Sequence, residues 1–243
     1  MIVATHGILA NSAPPSTLNN GLSAVYKAEN NTNDSLDTYN GTAIGGLTYV
    51  TGKLGSAFNL NGSNACVNIG DNFDLTTTSW SFDCWLFTTS TASNQTIFSK
   101  TIAAGLTGRY LASLVNGVDV RFFFAAAESS NLIDIRLINT NVLNQWNHYV
   151  FMFDRSDKMK IYRNGVLTSP TLVSGTNNLI PYASTNYNTD KIFRIGAATS
   201  TNTDVASNFF NGQIDNFNIW NRILNQDEIT ELYNSGNGKQ YPF

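Results

Sequence analysis

Apolar and polar residues alternate with a period of two along most of this chain, the pattern of strands with one buried face. Phe58 and Leu60 alternate in residues 55–62. Ala65, Val67 and Ile69 share a face in the next segment, and Trp80, Phe82, Cys84 and Leu86 do so in 80–86. Trp85 takes the opposite face, where a ligand groove or a covering loop is expected. Leu22 to Ala28 reads as the first strand and 47–52 as a small strand and turn. Residues 97–100, 108–115, 118–124, 132–138, 145–154 and 193–196 continue the series, with Val118, Val120, Phe122 and Phe124 alternating. Asn116-Gly117 and Asn164-Gly165 are hairpin signals, because both central positions of a type I′ turn need positive φ. Residues 169–188 and 199–208 read as polar loops.

Near the end the period changes. In residues 212–220, alternation groups Asp215 with Phe217 and Ile219. If those two face the core, Asp215 does too, and its carboxylate must find a cation, a metal or several N–H donors. Asn225 then stands as an N-cap, with Glu228 three residues on completing a capping box. Ile229, Leu232 and Tyr233 share a helical face, and Asn234-Ser235-Gly236 ends the helix. The expected architecture is all-β: about a dozen strands in two packed antiparallel sheets, with one short C-terminal helix. Residues 1–21, with Pro14-Pro15 inside them, read as an N-terminal arm, and 22–243 as a single domain without internal repeats.

Composition narrows the function. The chain of 243 residues has a formal net charge of −3 and only 13% charged residues, which leaves no electrostatic footprint for nucleic acid or an anionic membrane. No stretch approaches the roughly 20 apolar residues of a membrane span. The start has no basic segment followed by an apolar run, so it does not read as a secretory signal. Cys66 and Cys84 each lie in an expected strand; two small buried thiols are the favoured reading, and a disulfide is the alternative. With His6 and His148 they do not make a zinc set at recognisable spacing.

Several segments together resemble one family. The closing stretch, Phe210-Asn211-Gly212-Gln213-Ile214-Asp215-Asn216-Phe217-Asn218-Ile219-Trp220-Asn221-Arg222-Ile223-Leu224 followed by Glu228-Ile229, resembles the end of laminin-G-like (concanavalin A-like) jelly-roll domains. Residues 55–62, Trp80 to Leu86, Ile97-Phe98-Ser99-Lys100, Gln145 to Asp154, Met159 to Val166 and Phe193-Arg194-Ile195-Gly196 resemble further strands of that family. The resemblance covers about residues 22–236 and implies a two-sheet antiparallel jelly-roll sandwich. It does not fix function, because this fold hosts lectins, carbohydrate-binding modules, hydrolases, adhesion domains and virion proteins.

The resemblance also implies a structural calcium site. Family members often hold Ca²⁺ with an acidic residue after the first strand and the Asp of the closing signature, here Glu29 and Asp215. Asp34, Ser35, Asn40 and Gly41 stand in the adjoining loop. The competing reading is that Asp215 accepts backbone N–H groups or pairs with a cation. Hydrolases of this fold carry clustered carboxylates on one strand, and none is present. Asp134 has Arg136 two residues along, with Glu128 upstream, which reads as an ion pair; His148 reads as structural. Tyr110, Arg121, Arg136, Tyr182 and Tyr187 are possible sugar contacts, none of them assignable from sequence. The expected function is a non-enzymatic bacteriophage virion structural or adhesion protein: a head decoration, fibre or tail component. Residues 1–21 resemble the leaders of phage structural proteins and would tether it to other virion subunits in an oligomeric assembly. Host-surface glycan is the possible ligand. The alternative is a lectin-like carbohydrate-binding module of a bacterial surface protein, with a hydrolase a remote third.

Overall fold

A computed structural model describes residues 15–101, 108–126, 132–141, 143–199 and 204–243. Their strands are β1 (Leu22–Tyr26), β2 (Thr42–Ile44), β3 (Thr48–Thr51), β4 (Ser56–Asn61), β5 (Cys66–Asn68) and β6 (Trp80–Phe87). There follow β7 (Gln95–Lys100), β8 (Arg109–Val115), β9 (Asp119–Ala125), β10 (Leu132–Leu137), β11 (Asn147–Phe153) and β12 (Met159–Arg163). The last are β13 (Val166–Leu167), β14 (Thr171–Ser174), β15 (Phe193–Ile195), β16 (Ala198–Thr199), β17 (Ala206–Ser207) and β18 (Asn211–Trp220). One helix, α1 (Gln226–Tyr233), closes the chain.

Two antiparallel sheets form the sandwich. The first runs β13-β12-β11-β6-β18-β4-β3, with β1 also on β18. The second runs β14-β10-β9-β8-β7-β15-β5-β2, and β16 and β17 make a small separate pair. The alternating faces meet between the sheets: Phe82, Cys84 and Leu86 from the first, and Phe98, Val120, Phe122, Phe124 and Phe193 from the second. Phe82 and Phe98 stack at 4.7 Å across the interface, and Phe98 meets Phe217 at 5.5 Å. Each such ring removed from water contributes about 1.5–3 kcal/mol, so this aromatic layer carries much of the stability.

Both hairpin signals form as expected, with positive φ at Asn116, Gly117, Asn164 and Gly165. The capping box forms too: Glu228 N–H donates to Asn225 Oδ1 and Asn225 N–H to Glu228 Oε2. Asn234 caps the C-terminus in the left-handed region. Four short pieces were not evident from the pattern: β2, β14, β16 and β17. β14 lies at a sheet edge with every side chain exposed, so it carries no alternation to read.

Cys66 and Cys84 are free and buried, and burial pushes the Cys66 thiol up to about 11 and the Cys84 thiol well above its usual range. Residues 1–14 of the expected arm lie outside the described residues. The rest of it docks on the domain. Leu18 is fully buried beside Trp220, Ile229 and Leu232, and the Trp220 indole N–H donates to Leu18 O at 2.7 Å.

Candidate functional site

The geometry around Asp215 follows from how two strands share one edge of β18. β4 pairs with its first half, Asn211 to Ile214, and β1 with its second half, from Phe217 to Trp220. Asp215 and Asn216 fall in the gap between them. On the other edge, Asp215 faces Trp85 and Asn218 faces Asp83, so Asn216 and Phe217 together oppose Cys84. That is a β-bulge, and Asn216 takes the positive φ of 50° it requires. The extra residue corrects the strict alternation expected for 212–220. Ile214, Phe217 and Ile219 face the core, whereas Asp215 shares the outer face with Trp85 and His148.

On that face Asp215 lies under the β3–β4 turn. Leu54 N–H donates to Asp215 Oδ2 at 2.8 Å, and Lys53 and Asn216 N–H groups support the carboxylate. Glu29, just past β1, reaches the same turn and accepts from Ser56 N–H at 3.2 Å through Oε2. Gln240 Nε2 donates to Glu29 Oε1 at 3.3 Å. The turn can close on both carboxylates because Gly52 and Gly55 lack side chains. A Cβ on Gly52 would come within 2.5 Å of Asp215 Oδ2, and one on Gly55 within 2.0 Å of Glu29 Oε1.

The electrostatics of this pair are unbalanced. Asp215 is fully buried, and neither it nor Glu29 forms an ion pair among the described residues. Burial, opposed by the backbone donors and reinforced by the Glu29 charge, pushes the Asp215 carboxyl up to about 7. Asp215 Oδ1 is buried without a hydrogen-bond partner, as are Asn216 Oδ1 and Asn218 Oδ1. An orphaned carboxylate oxygen beside a second carboxylate is a donor set for a hard, oxygen-seeking cation, although no cluster of three or more His, Cys, Asp or Glu side chains occurs among the described residues. Glu29 and Asp215 would supply the charged ligands and amide or carbonyl oxygens the remainder. The competing reading holds in its first branch, since Asp215 accepts backbone N–H groups, while no cationic side chain pairs with it among the described residues.

Asp34 is excluded from this role. Its two oxygens accept the N–H groups of Val25, Leu36, Thr38 and Tyr39, and it organises the loop after β1. Glu29 and Asp34 line a polar hollow of about 320 Å³ with Lys27, Asn31, Asn33 and Asp37.

No motif marks the neighbouring polar cluster. His148 packs against both Trp85 and Tyr233, with its Nε2 against Asp83 Oδ1. Asn218 Nδ2 donates to Asp83 Oδ2 at 2.8 Å. His148 is therefore tied into the fold, as its strand context suggested. Trp85 is covered, by Tyr233 stacked at 5.9 Å and Lys53 at 4.9 Å. Only the cross-strand register brings 83, 148 and 218 together; one sequence carries no signal for it.

On the outer face of the second sheet, Arg136 binds Asp134 through Nε and Nη2 at 3.1 and 2.8 Å, and Arg121 joins at 3.0 Å. The expected ion pair is thus a triad; Glu128 lies outside the described residues. Among the proposed sugar contacts, Tyr110 is wholly buried and donates to Phe73 O. Tyr182 and Tyr187 pack against Phe124. None of these three tyrosines forms an open platform.

Comparison with known proteins agrees with this architecture. A family model of the concanavalin A-like lectin/glucanases superfamily, of laminin-G type, matches residues 61–230. Among solved structures, domain 4 of AbnA, a GH43 extracellular arabinanase from Geobacillus stearothermophilus in complex with arabinotriose, aligns with TM-score 0.64 and 21% identity. That alignment covers 90% of this chain and 98% of that one. The botulinum neurotoxin serotype D/C binding domain aligns with TM-score 0.64 and 20% identity over 90% of this chain and 53% of that one. The binding domain of Paraclostridial Mosquitocidal Protein 1 aligns with TM-score 0.65 and 16% identity over 89% and 52%. The chain thus spans nearly all of the arabinanase domain and about half of each toxin binding domain. No curated protein matches significantly in sequence. The chain belongs to the laminin-G-type branch of the concanavalin A-like lectin/glucanase superfamily.

Proposed function

We propose that this protein is a non-enzymatic, lectin-like adhesion domain that binds carbohydrate and is held together in part by calcium at Glu29 and Asp215. One observation carries the choice between the lectin and glucanase halves of the superfamily: among the described residues, the outer-face carboxylates Asp83, Asp134 and Asp215 are all engaged or sealed. Asp134 is tied by two guanidinium groups, Asp83 by His148 and Asn218, and Asp215 is sealed from solvent. A glycosidase needs two carboxyl groups flanking a bond they can reach. Asp215, though its raised pKa would suit an acid, cannot touch a substrate. The arabinanase domain that resembles this chain was solved with arabinotriose, and a botulinum neurotoxin binding domain, about half of which this chain matches, was solved in complex with SialylT. Both support the carbohydrate reading.

The setting we favour is a bacteriophage virion, with the domain as a head decoration, fibre or tail component facing host-surface glycan. Its support is the resemblance of the N-terminal leader to those of phage structural proteins. Docking of residues 15–21 on the domain leaves residues 1–14 as the segment that would reach other virion subunits. No helix among the described residues is long and apolar enough to cross a membrane.

The test is a glycan array probed with the full chain in calcium, beside an assay for new reducing ends. Retention of a glycan without release of reducing ends is expected. Release of reducing ends, abolished by substituting a single carboxylate, would overturn the non-enzymatic reading. For the virion setting, the full chain should be part of a large particle and the chain lacking residues 1–14 a monomer; two monomers would remove it.

A further inference from the structure

The outer face of the first sheet is closed over most of its area. Leu18, Ile229 and Leu232 cover Val150, Met152 and Trp220, and Tyr233 and Lys53 cover Trp85. One row beyond Trp85 the covering stops. Trp146, Phe87, Gln213, Asn59 and Thr48 stand side by side there across five adjacent chain segments. Phe87 is opposite Gln213, Gln213 opposite Asn59, and Asn59 opposite Thr48. The Trp146 ring sits 5.6 Å from that of Phe87. The next residues along, Leu86, Ile214 and Phe58, point into the core, so this row points out. All five side chains are half-buried or exposed.

The chemistry of this row is specific. It holds two aromatic faces at one end and two carboxamides and a hydroxyl at the other, with no formal charge. Asn59 Nδ2 donates to Thr48 Oγ1 at 3.0 Å, which orients that amide. Among the described residues, the Gln213 amide and the Trp146 indole N–H have no hydrogen-bond partner. Aromatic rings accept the C–H faces of sugar rings, and carboxamides pair with vicinal hydroxyls as donor and acceptor together. Four strand spacings of about 4.8 Å give the row a length of roughly 19 Å, which suits an oligosaccharide rather than one ring. The absence of charge selects a neutral ligand. The other sheet's outer face, by contrast, presents Arg121 and Arg136.

We propose that the row Trp146–Phe87–Gln213–Asn59–Thr48 is the carbohydrate-binding surface and that it takes a neutral oligosaccharide lying across the strands. The proposal rests on the carbohydrate-binding reading above and adds the site and the ligand class. It also gives the calcium pair a purpose: Asp215 is one residue past Ile214 on the strand that presents Gln213, and the turn it clamps joins β3 and β4, which present Thr48 and Asn59.

The test uses the full chain in calcium, titrated calorimetrically with arabinotriose, cellotriose, mannotriose and sialyllactose. Binding of at least one neutral trisaccharide is expected, weakened tenfold or more by Trp146→Ala and by Gln213→Ala. Asn59→Ala and Gln213→Ala change half-buried, outward-facing groups, so an unchanged melting curve separates lost binding from lost folding. If a neutral trisaccharide binds and all three variants match the parent, the row is overturned and the carbohydrate reading stands. If only sialyllactose binds and Arg136→Ala abolishes it, the site is on the other sheet and the row is again overturned. If none of the four binds, the carbohydrate reading itself falls, and the row with it.

Discussion

Glu29, just past β1, and Asp215, on β18, meet one hairpin turn: Ser56 N–H donates to Glu29 at 3.2 Å and Leu54 N–H to Asp215 at 2.8 Å. The turn is held between two carboxylates that repel each other, and the cost of that arrangement varies with pH and with any cation bound there.

Without calcium, stability should fall as pH rises. Asp215 is raised from 3.8 to about 7 in the folded chain. Between those values the native state holds a proton that the unfolded state has released, so folding is favoured at the acid end and loses that advantage as pH rises toward 7. In chelator, Tm should decline from pH 4.5 to 7.5, by about 2–4 °C for each kcal/mol lost. Saturating calcium should reverse the decline at pH 7.5, because it binds the ionised pair. A Tm independent of calcium at pH 7.5 would remove the cation from the account.

Asp215→Asn separates charge from shape. The amide oxygen can still accept from Leu54 N–H, and the buried charge is gone. In chelator at pH 8 this variant should melt at or above the parent's Tm, and calcium should no longer raise it. Glu29→Gln should weaken the calcium response in the same assay. If Asp215→Asn still responded to calcium as the parent does, Asp215 would not be a ligand.

Gly55→Ala should destabilise by about 2 kcal/mol or more. Its Cβ would collide with Glu29, and φ is +70°. Gly46 has φ of +79° with nothing within 4 Å, so Gly46→Ala should cost only the conformational term of about 1 kcal/mol. Equal losses in chemical denaturation would show that the close approach of Glu29 does not matter.

Residues 15–21 should hold the N-terminal segment to the domain through Leu18, so a chain lacking 1–14 is the reference for a chain lacking 1–21. Deleting 1–21 should lower stability by about 3 kcal/mol, since it empties the Leu18 pocket and strands the Trp220 N–H. Glu228→Ala should cost about 2 kcal/mol, because Glu228 completes the helix cap, pairs with Arg222 and accepts from Thr17. Similar melting of the two truncated chains would contradict the docking.

These elements show what a single sequence does and does not convey. The strands around Phe82, Phe122 and Phe217 are legible because one face is buried and the period is two. The helix is legible because Asn225 and Glu228 sit at fixed offsets. Alternation singles out Asp215 as a carboxylate in need of a partner but gives it the wrong face, whereas Glu29 is reached only through family resemblance. A bulge adds one residue to a strand, and Asn216 is among the few residue types that take its left-handed geometry without marking it in the pattern. The row from Trp146 to Thr48 draws its members from four strands and one strand end. Each looks like an ordinary outward position, and only the register between strands makes them neighbours.

This sandwich should bind carbohydrate and leave it intact. Native mass spectrometry of the full chain in calcium, mixed with neutral trisaccharides and incubated for hours, reads both properties at once. The expected result is a protein mass increased by one whole trisaccharide, with the free sugar unchanged. Protein at its own mass alone would rule out binding, and sugar shortened to smaller pieces would make the protein a hydrolase.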